Sequence, residues 1–355
     1  ALTPVLHNLA VIAAMVLLAR WFEVPEKALA WGVVAAGAMQ LAVLWPAMAR
    51  LGVRPRLRFG MRHPGVRRVA RLMLPTIFSS SVAQVNLLVG TVFASLLVAE
   101  AQSWLYYSDR LTELPLGLFG VAVGTVILPQ LSRHHADADT GGYSKALDWG
   151  LRIVLLVGLP AALGLALLAE PLTATLFLHG EFSPRDTAMV GYALVAMSAG
   201  IPTFMLSKVL LPAFYARQDT RTPMRAAVRT VIANVALTVA IVTPLWWWRV
   251  PYAHAGIAAA TAIAGVLNAW LLWRALRREG VYVAQPGWGR WMLRILAALA
   301  VMTLAVLAVR HQVGAWAALD WKARVAWLLA AVGAGAGAYG ATLVALGLRP
   351  RHLRH

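Results

Sequence analysis

The sequence predicts an all-α, polytopic transmembrane helical bundle of about ten spans, and three observations carry that expectation. The 355 residues are 60% hydrophobic and only 13% charged, with a mean hydropathy of +0.69, too little charge to cover a soluble domain of this length. Apolar stretches of about 18 residues or more recur along the chain, each long enough to cross a bilayer. Lysine and arginine are distributed unequally between alternate connections, as the positive-inside rule demands of antiparallel spans.

The expected spans are roughly 3–19, 28–49, 72–98, 103–131, 147–170, 187–214, 225–247, 253–273, 291–309 and 325–346. Short connections make neighbouring helices antiparallel, and no hydrophilic insertion is large enough to be a soluble domain. Assigning alternate connections to opposite sides puts 23 basic residues on one side and seven on the other, with Arg110 and Lys208 inside spans. The basic side is therefore expected to be cytoplasmic, with the C-terminus on it and span 3–19 running outward. A chain starting in the cytoplasm would then carry an even number of spans before residue 1. The opening Ala1-Leu2-Thr3-Pro4 has no initiator Met and no cleavable signal, which reads as a fragment lacking its N-terminal part.

The net charge of +18 would suggest nucleic acid in a soluble protein, but here the bases lie between apolar spans, so topology and anionic membrane lipids are the expected partners, and no nucleic acid. The segment from Arg50 to Arg71 carries eight arginines and no acid. It reads as a topogenic loop or as a surface bound to anionic headgroups. With no cysteine, disulfides, thiolate metal sites and cysteine nucleophiles are excluded. The nine histidines show no HExxH spacing, and no cofactor is expected.

The densest polar chemistry lies in the span 103–131. Asp109, Arg110 and Glu113 can share one helix side by their three- and four-residue spacings. Arg110 lies about 10 Å along the helix from Ser103, and burying it near the bilayer centre costs roughly 2.5–3.5 kcal/mol. It should face the bundle interior or a wet cavity. Either it binds an anionic group, with Glu113 and Asp109 orienting it or occupying it when the substrate is absent, or the three form a self-neutralising salt bridge that only holds helices together. The same span continues through Pro115, Gly117, Gly120, Gly124 and Pro129, residues that allow bending and close packing.

Span 72–98 holds Pro75, the serines 79–81, Gln84 and Asn86, which can bond neighbouring helices or line a cavity. Lys208 lies between Pro202 and Pro212, suited to substrate contact or to anchoring at the interface. Asn234 and Thr238, four apart, could ligate a cation, with ordinary interhelical hydrogen bonding the plainer reading. The run Trp246-Trp247-Trp248 and Tyr252 fall at an outer boundary as an aromatic belt.

Trp104–Glu113 (WLYYSDRLTE), Leu114–Ser132 (LPLGLFGVAVGTVILPQLS), Leu176–Phe182 (LFLHGEF) and Lys208–Pro223 (KVLLPAFYARQDTRTP), in this order, resemble the MurJ (MviN) family of lipid II flippases, within the multidrug/oligosaccharidyl-lipid/polysaccharide exporter superfamily. The resemblance is best over about 70–230 and reads as the C-terminal two-thirds of the family only, spans five to fourteen of fourteen. It implies two helices closing an N-terminal lobe plus the basic loop (1–70), a C-terminal six-helix lobe (71–276), and two further helices forming a lipid-tail groove with a basic tail (277–355). It also implies a monomeric inner-membrane transporter moving lipid II outward by alternating access, driven by membrane potential or an ion gradient. Arg110 matches an arginine of the family's cavity and Glu113 a nearby acid. The family's other cavity arginines sit on its first two spans, which do not correspond to any part of this chain.

The expected substrate-contacting residues are thus Arg110, Glu113, Asp109, Asn86, Gln84 and Lys208, in a non-enzymatic transporter. A drug/cation antiporter or another lipid-linked oligosaccharide flippase of the superfamily is the alternative. A glycosyltransferase acting on the same lipid would need catalytic acids or a metal site outside the membrane, and the longest outer connection, Arg310 to Arg324, offers only Asp320.

Overall fold

A computed structural model describes residues 2–24, 26–50, 52, 65–67, 69, 84 and 87–348. Contacts divide the chain into two compact units, Ala1–Met73 and Leu74–His355.

In the first unit, α1 (Leu2–Leu18) and α2 (Glu26–Arg50) pack together through a 3-10 turn at Ala19–Trp21. Gly32 permits the contact: a Cβ there would lie 2.8 Å from the Ala14 Cβ. Gln40 Nε2 donates to the Thr3 carbonyl at 3.1 Å, tying the far ends. The loop after Arg50 lies almost entirely outside the described residues, and so do Pro75, the serines 79–81 and Asn86.

The second unit contains α3 (Leu87–Leu97), α4 (Ala101–Pro115), α5 (Val121–Ala136), α6 (Thr140–Leu167), α7 (Ala169–Phe177), α8 (Pro184–Ser198), α9 (Ile201–Tyr215), α10 (Arg221–Trp247), α11 (Ala255–Arg278), α12 (Trp288–Val313) and α13 (Trp321–Ala345). Among the described residues of the whole chain, seven helices are long and apolar enough to cross a membrane, or nine when two bent pairs count as spans. The tenth expected span, 72–98, is described as a helix only over Leu87–Leu97.

Two expected spans are not continuous helices. The stretch 103–131 is interrupted by a π-turn at Leu116–Gly120 and bends by 44°. Pro115 and the glycines that follow it, Gly117 and Gly120, explain the break, since proline removes a backbone donor and glycine resists neither bending nor close approach. The stretch 187–214 bends by 44° between α8 and α9, where Gly200 precedes a proline at the start of α9. The expected span 147–170 starts earlier, at Thr140, and stops at Leu167, after which α7 runs as a separate short helix.

The main apolar cluster joins α5, α6, α9 and α11 around Ile127, Leu147, Met205, Phe214 and Leu272, each fully buried. A second joins α12 and α13 to α6 and α7 around Ile295, Ala298, Val306 and Ala331. Leu293, Leu304 and Leu329 point outward and are exposed, as lipid-facing residues should be. Phe204 wedges between two glycines: a Cβ on Gly265 would lie 2.3 Å from its ring and one on Gly200 2.8 Å. The ring is caught from both sides and cannot retreat. Gly265→Ala should therefore destabilise the unit by about 1–3 kcal/mol, read as a lower unfolding midpoint in detergent.

Polar bonds fasten α12 and α13 to α6 and α7 at three levels. At the α11–α12 connection, the buried Asp148 of α6 accepts through Oδ1 from Tyr282 Oη at 2.8 Å, the Gln285 backbone N–H at 3.1 Å and Trp288 Nε1 at 2.7 Å. Its other oxygen, Oδ2, lies 2.8 Å from Arg152 Nε. Burial and the bond to Asp148 push the Tyr282 phenol up from its ordinary value. Midway, Tyr339 Oη donates to the Leu156 carbonyl at 2.8 Å. At the other end, Arg310 donates to the Leu167 carbonyl, and Arg324 to those of Ala174 at 3.1 Å and Leu178 at 3.2 Å. These two arginines cap carbonyls left over at helix C-termini.

Candidate functional site

The amphipathic α4 builds the site. Trp104, Ser108, Leu111 and Thr112 are buried, while Tyr106, Asp109, Arg110 and Glu113 lie on the exposed side. One end of α4 is fixed by Trp104, whose Nε1 donates to Asp186 Oδ1 at 2.7 Å. Asp186 belongs to a capping box that starts α8: the Asp186 N–H donates to Ser183 Oγ at 3.2 Å, and the Ser183 N–H donates to Asp186 Oδ2 at 2.9 Å. Thus the motif at 176–182 leads directly into the residues that hold α4 in register.

His254 packs on the same tryptophan, with ring centroids 4.9 Å apart, and lies 2.9 Å through Nε2 from the Met189 carbonyl. Burial lowers its pKa below the ordinary histidine value, against the opposing pull of the Met189 bond. The folded state therefore binds fewer protons than the unfolded chain, and the stability held above about pH 6.5 is lost as pH falls through the folded pKa. Wild type should lose more thermal stability than His254→Gln when acidified from about pH 7.5 to about pH 5.5.

The exposed side of α4 lines a cleft of about 790 Å³ together with α3 (Gly90, Thr91), α8 (Met197) and α11 (Ile257, Thr261). Asp109, Arg110 and Glu113 all face this cleft. Arg110 Nη1 donates to Glu113 Oε2 at 2.7 Å, one helical turn away, and its guanidinium sits 4.9 Å from the centre of the Tyr106 ring. The ion pair lies within one helix, so it fastens no two helices together. Its side chains are 55% and 54% exposed, and a pair so open to solvent is held only weakly. An anion entering the cleft can displace Glu113 at little cost.

The other expected site residues that the structure describes are not brought here. Gln84 is exposed and does not line the cleft. Lys208 lies on α9, its chain 3.3 Å from where a Cβ on Gly120 would stand, beside the π-turn rather than in the cleft. Asn234 and Thr238 are buried on α10 and line no part of the cleft. No cluster of three metal-ligating His, Cys, Asp or Glu residues occurs among the described residues. Tyr106, Thr91 and Thr261 are cleft residues that sequence reasoning did not single out. Of these, only Tyr106 carried a signal, four residues before Arg110 and hence on the same helix side.

The sequence matches the family described as "Lipid II flippase MurJ" over residues 1–326. It is 39% identical to the "Probable lipid II flippase MurJ" of Haemophilus influenzae over 99% of this chain and 68% of that protein. It is 41% identical to that of Vibrio cholerae, over 99% of this chain and 66% of the relative. The "Lipid II flippase MurJ" of Burkholderia cenocepacia is 41% identical over 85% of this chain and 58% of its own length. In fold, the chain is similar to the solved structure "Lipid II flippase MurJ, inward closed conformation", with a TM-score of 0.77 and 22% identity over 96% of this chain and 66% of that one. The chain thus spans about two thirds or less of the length of these relatives. The expectation of a match to the C-terminal two-thirds only is corrected: the similarity runs through 99% of the chain. The motifs between 70 and 230 stood out because prolines, glycines and charges inside apolar spans are conspicuous, whereas uniformly apolar helices carry little that the eye can match.

Proposed function

Because the chain belongs to the lipid II flippase MurJ family, we propose that it acts in a bacterial inner-membrane transporter that carries lipid II, the polyprenyl-diphosphate-linked peptidoglycan precursor, to the outer leaflet. The observation that carries the reading to particular residues is the cleft beside α4, with a guanidinium whose only acidic partner among the described residues is a weakly held neighbour on the same helix. The diphosphate would take Arg110 from Glu113, while the lipid tail stays among the apolar helices. An aqueous cleft spares the polar sugar and peptide from hydrocarbon.

The cleft as described carries two carboxylates and one guanidinium. A dianionic headgroup needs more positive charge than that, so this cleft acts as one wall of a larger site. Alternating access, by rocking of two lobes, exposes the site to one side at a time. An inside-negative potential favours outward movement of a net anion by roughly 2.3 kcal/mol per charge per 100 mV. The side rich in arginine is the cytoplasmic one, which puts the C-terminus in the cytoplasm.

The test is complementation: the full-length gene is expressed in bacteria depleted of their own lipid II flippase, with membrane levels checked. Growth with restored outward movement of lipid II supports the reading. A well-expressed protein that exports ethidium and restores neither would instead fit a cation antiporter, for which Asp109 and Glu113 would be the binding acids.

A further inference from the structure

The amino-terminal part of α10 and the carboxy-terminal part of α11 face each other across a groove of about 410 Å³. Arg225 and Arg229 rise from one wall, Arg274 and Arg278 from the other, over a floor that includes Ala226 and Ala275. A spacing of four residues on both helices turns these side chains to one face. None of the four has a carboxylate within ion-pair distance among the described residues. The one acid at the rim, Glu279, is held by Arg217 at 2.8 Å.

A topogenic role explains basic residues on this side of the bundle but not their convergence on one groove. The helix dipole explains Arg278 at the end of α11 but not Arg225 and Arg229, which lie beyond the first turn of α10. A groove lined by four arginines, two on each wall, has the composition of an anion site; the α10 amino terminus itself is capped by Asp219, whose Oδ1 accepts from the Arg221 and Thr222 N–H groups at 3.0 and 3.1 Å. Its depth is that of the membrane surface. Arg274 lies over the Trp270 ring at 4.8 Å and Arg277 over Trp273 at 5.0 Å, and such indoles mark the headgroup boundary. The volume falls within the usual ligand-pocket range of about 300–1,000 Å³.

We propose that the α10–α11 groove binds the phosphate of an anionic membrane-lipid headgroup through Arg225, Arg229, Arg274 and Arg278. It is separate from the α4 cleft, with which it shares no lining residue. Basic pockets between helices at the cytoplasmic face are suited to such headgroups, and guanidinium groups on two walls can grip one phosphate from both sides.

Native mass spectrometry of the intact protein in detergent, titrated with phosphatidylglycerol and separately with phosphatidylcholine, tests this. R225Q/R278Q removes two exposed arginines with little risk to packing, and R290Q/R294Q makes the same charge change outside the groove. The expected result is at least a tenfold loss of phosphatidylglycerol affinity in the first variant only, with phosphatidylcholine binding equal in all three proteins. Equal losses in both variants, or none in either, would overturn the proposal. Glycerol phosphate binding as tightly as phosphatidylglycerol would overturn the lipid assignment and make the groove a site for soluble phosphate esters.

Discussion

Arg110→Ala, introduced into the full-length gene, should abolish rescue of flippase-depleted cells, with plating reduced at least about 100-fold while the protein accumulates normally in the membrane. The separation of function from stability is what gives this result its meaning. The ion pair with Glu113 spans one helical turn and is more than half exposed, so it contributes little to stability. The contact with the Tyr106 ring at 4.9 Å is made at an exposed site, where such contacts are weak. The unfolding midpoint should therefore move little. Arg110→Lys keeps the charge but loses the planar two-pronged grip on phosphate, so partial rescue is expected from it. Full rescue by Arg110→Ala would demote the residue to a structural role and leave the family's activity to other groups.

Asp148→Ala should be the most destabilising single change in the second unit, costing about 3–5 kcal/mol. It leaves Arg152 without its carboxylate and strips the acceptor from Tyr282, Gln285 and Trp288 together. Asp148→Asn keeps an acceptor oxygen for these three donors and loses only the charge, so its cost is smaller. Thermal unfolding in detergent gives the ranking. Proteolysis within the connection 279–287 should accelerate in the alanine variant before the helices themselves unfold.

Much of the bundle was legible because hydropathy is a local property. Each described long helix coincides with a stretch that is apolar over about 20 residues, and the polar face of α4 follows from the spacing of residues 106, 109, 110 and 113. The interruptions were less legible. Pro115 and Gly117 announce a bend, but a π-turn and a bend of 44° depend on what packs around them. The Asp148 cluster carried little signal: Arg152 stands one helical turn away, but Tyr282, Gln285 and Trp288 lie 134 to 140 residues away and have no periodic relation to it. Arg152, Arg310 and Arg324 count in the sequence as topogenic charge. In the structure Arg152 pairs with a buried acid, and the other two close off helix ends. The cleft was legible on its α4 wall only. Thr91 and Thr261, from α3 and α11, meet it through tertiary packing alone.

Bonds at both ends and the middle of the α12–α13 hairpin leave it no independent hinge against α6 and α7. A conformational cycle that rocks this part of the protein must carry these four helices as one stiff lever, with the bending left to seams such as the α4–α5 and α8–α9 breaks. A covalent strut across the hairpin's own seam, for instance a cysteine pair joining α6 to α13 beside Leu156 and Tyr339, would then be mechanically silent, whereas one that stiffens a break would stall the cycle. The chain contains no cysteine of its own, so such struts can be placed one at a time without a competing thiol.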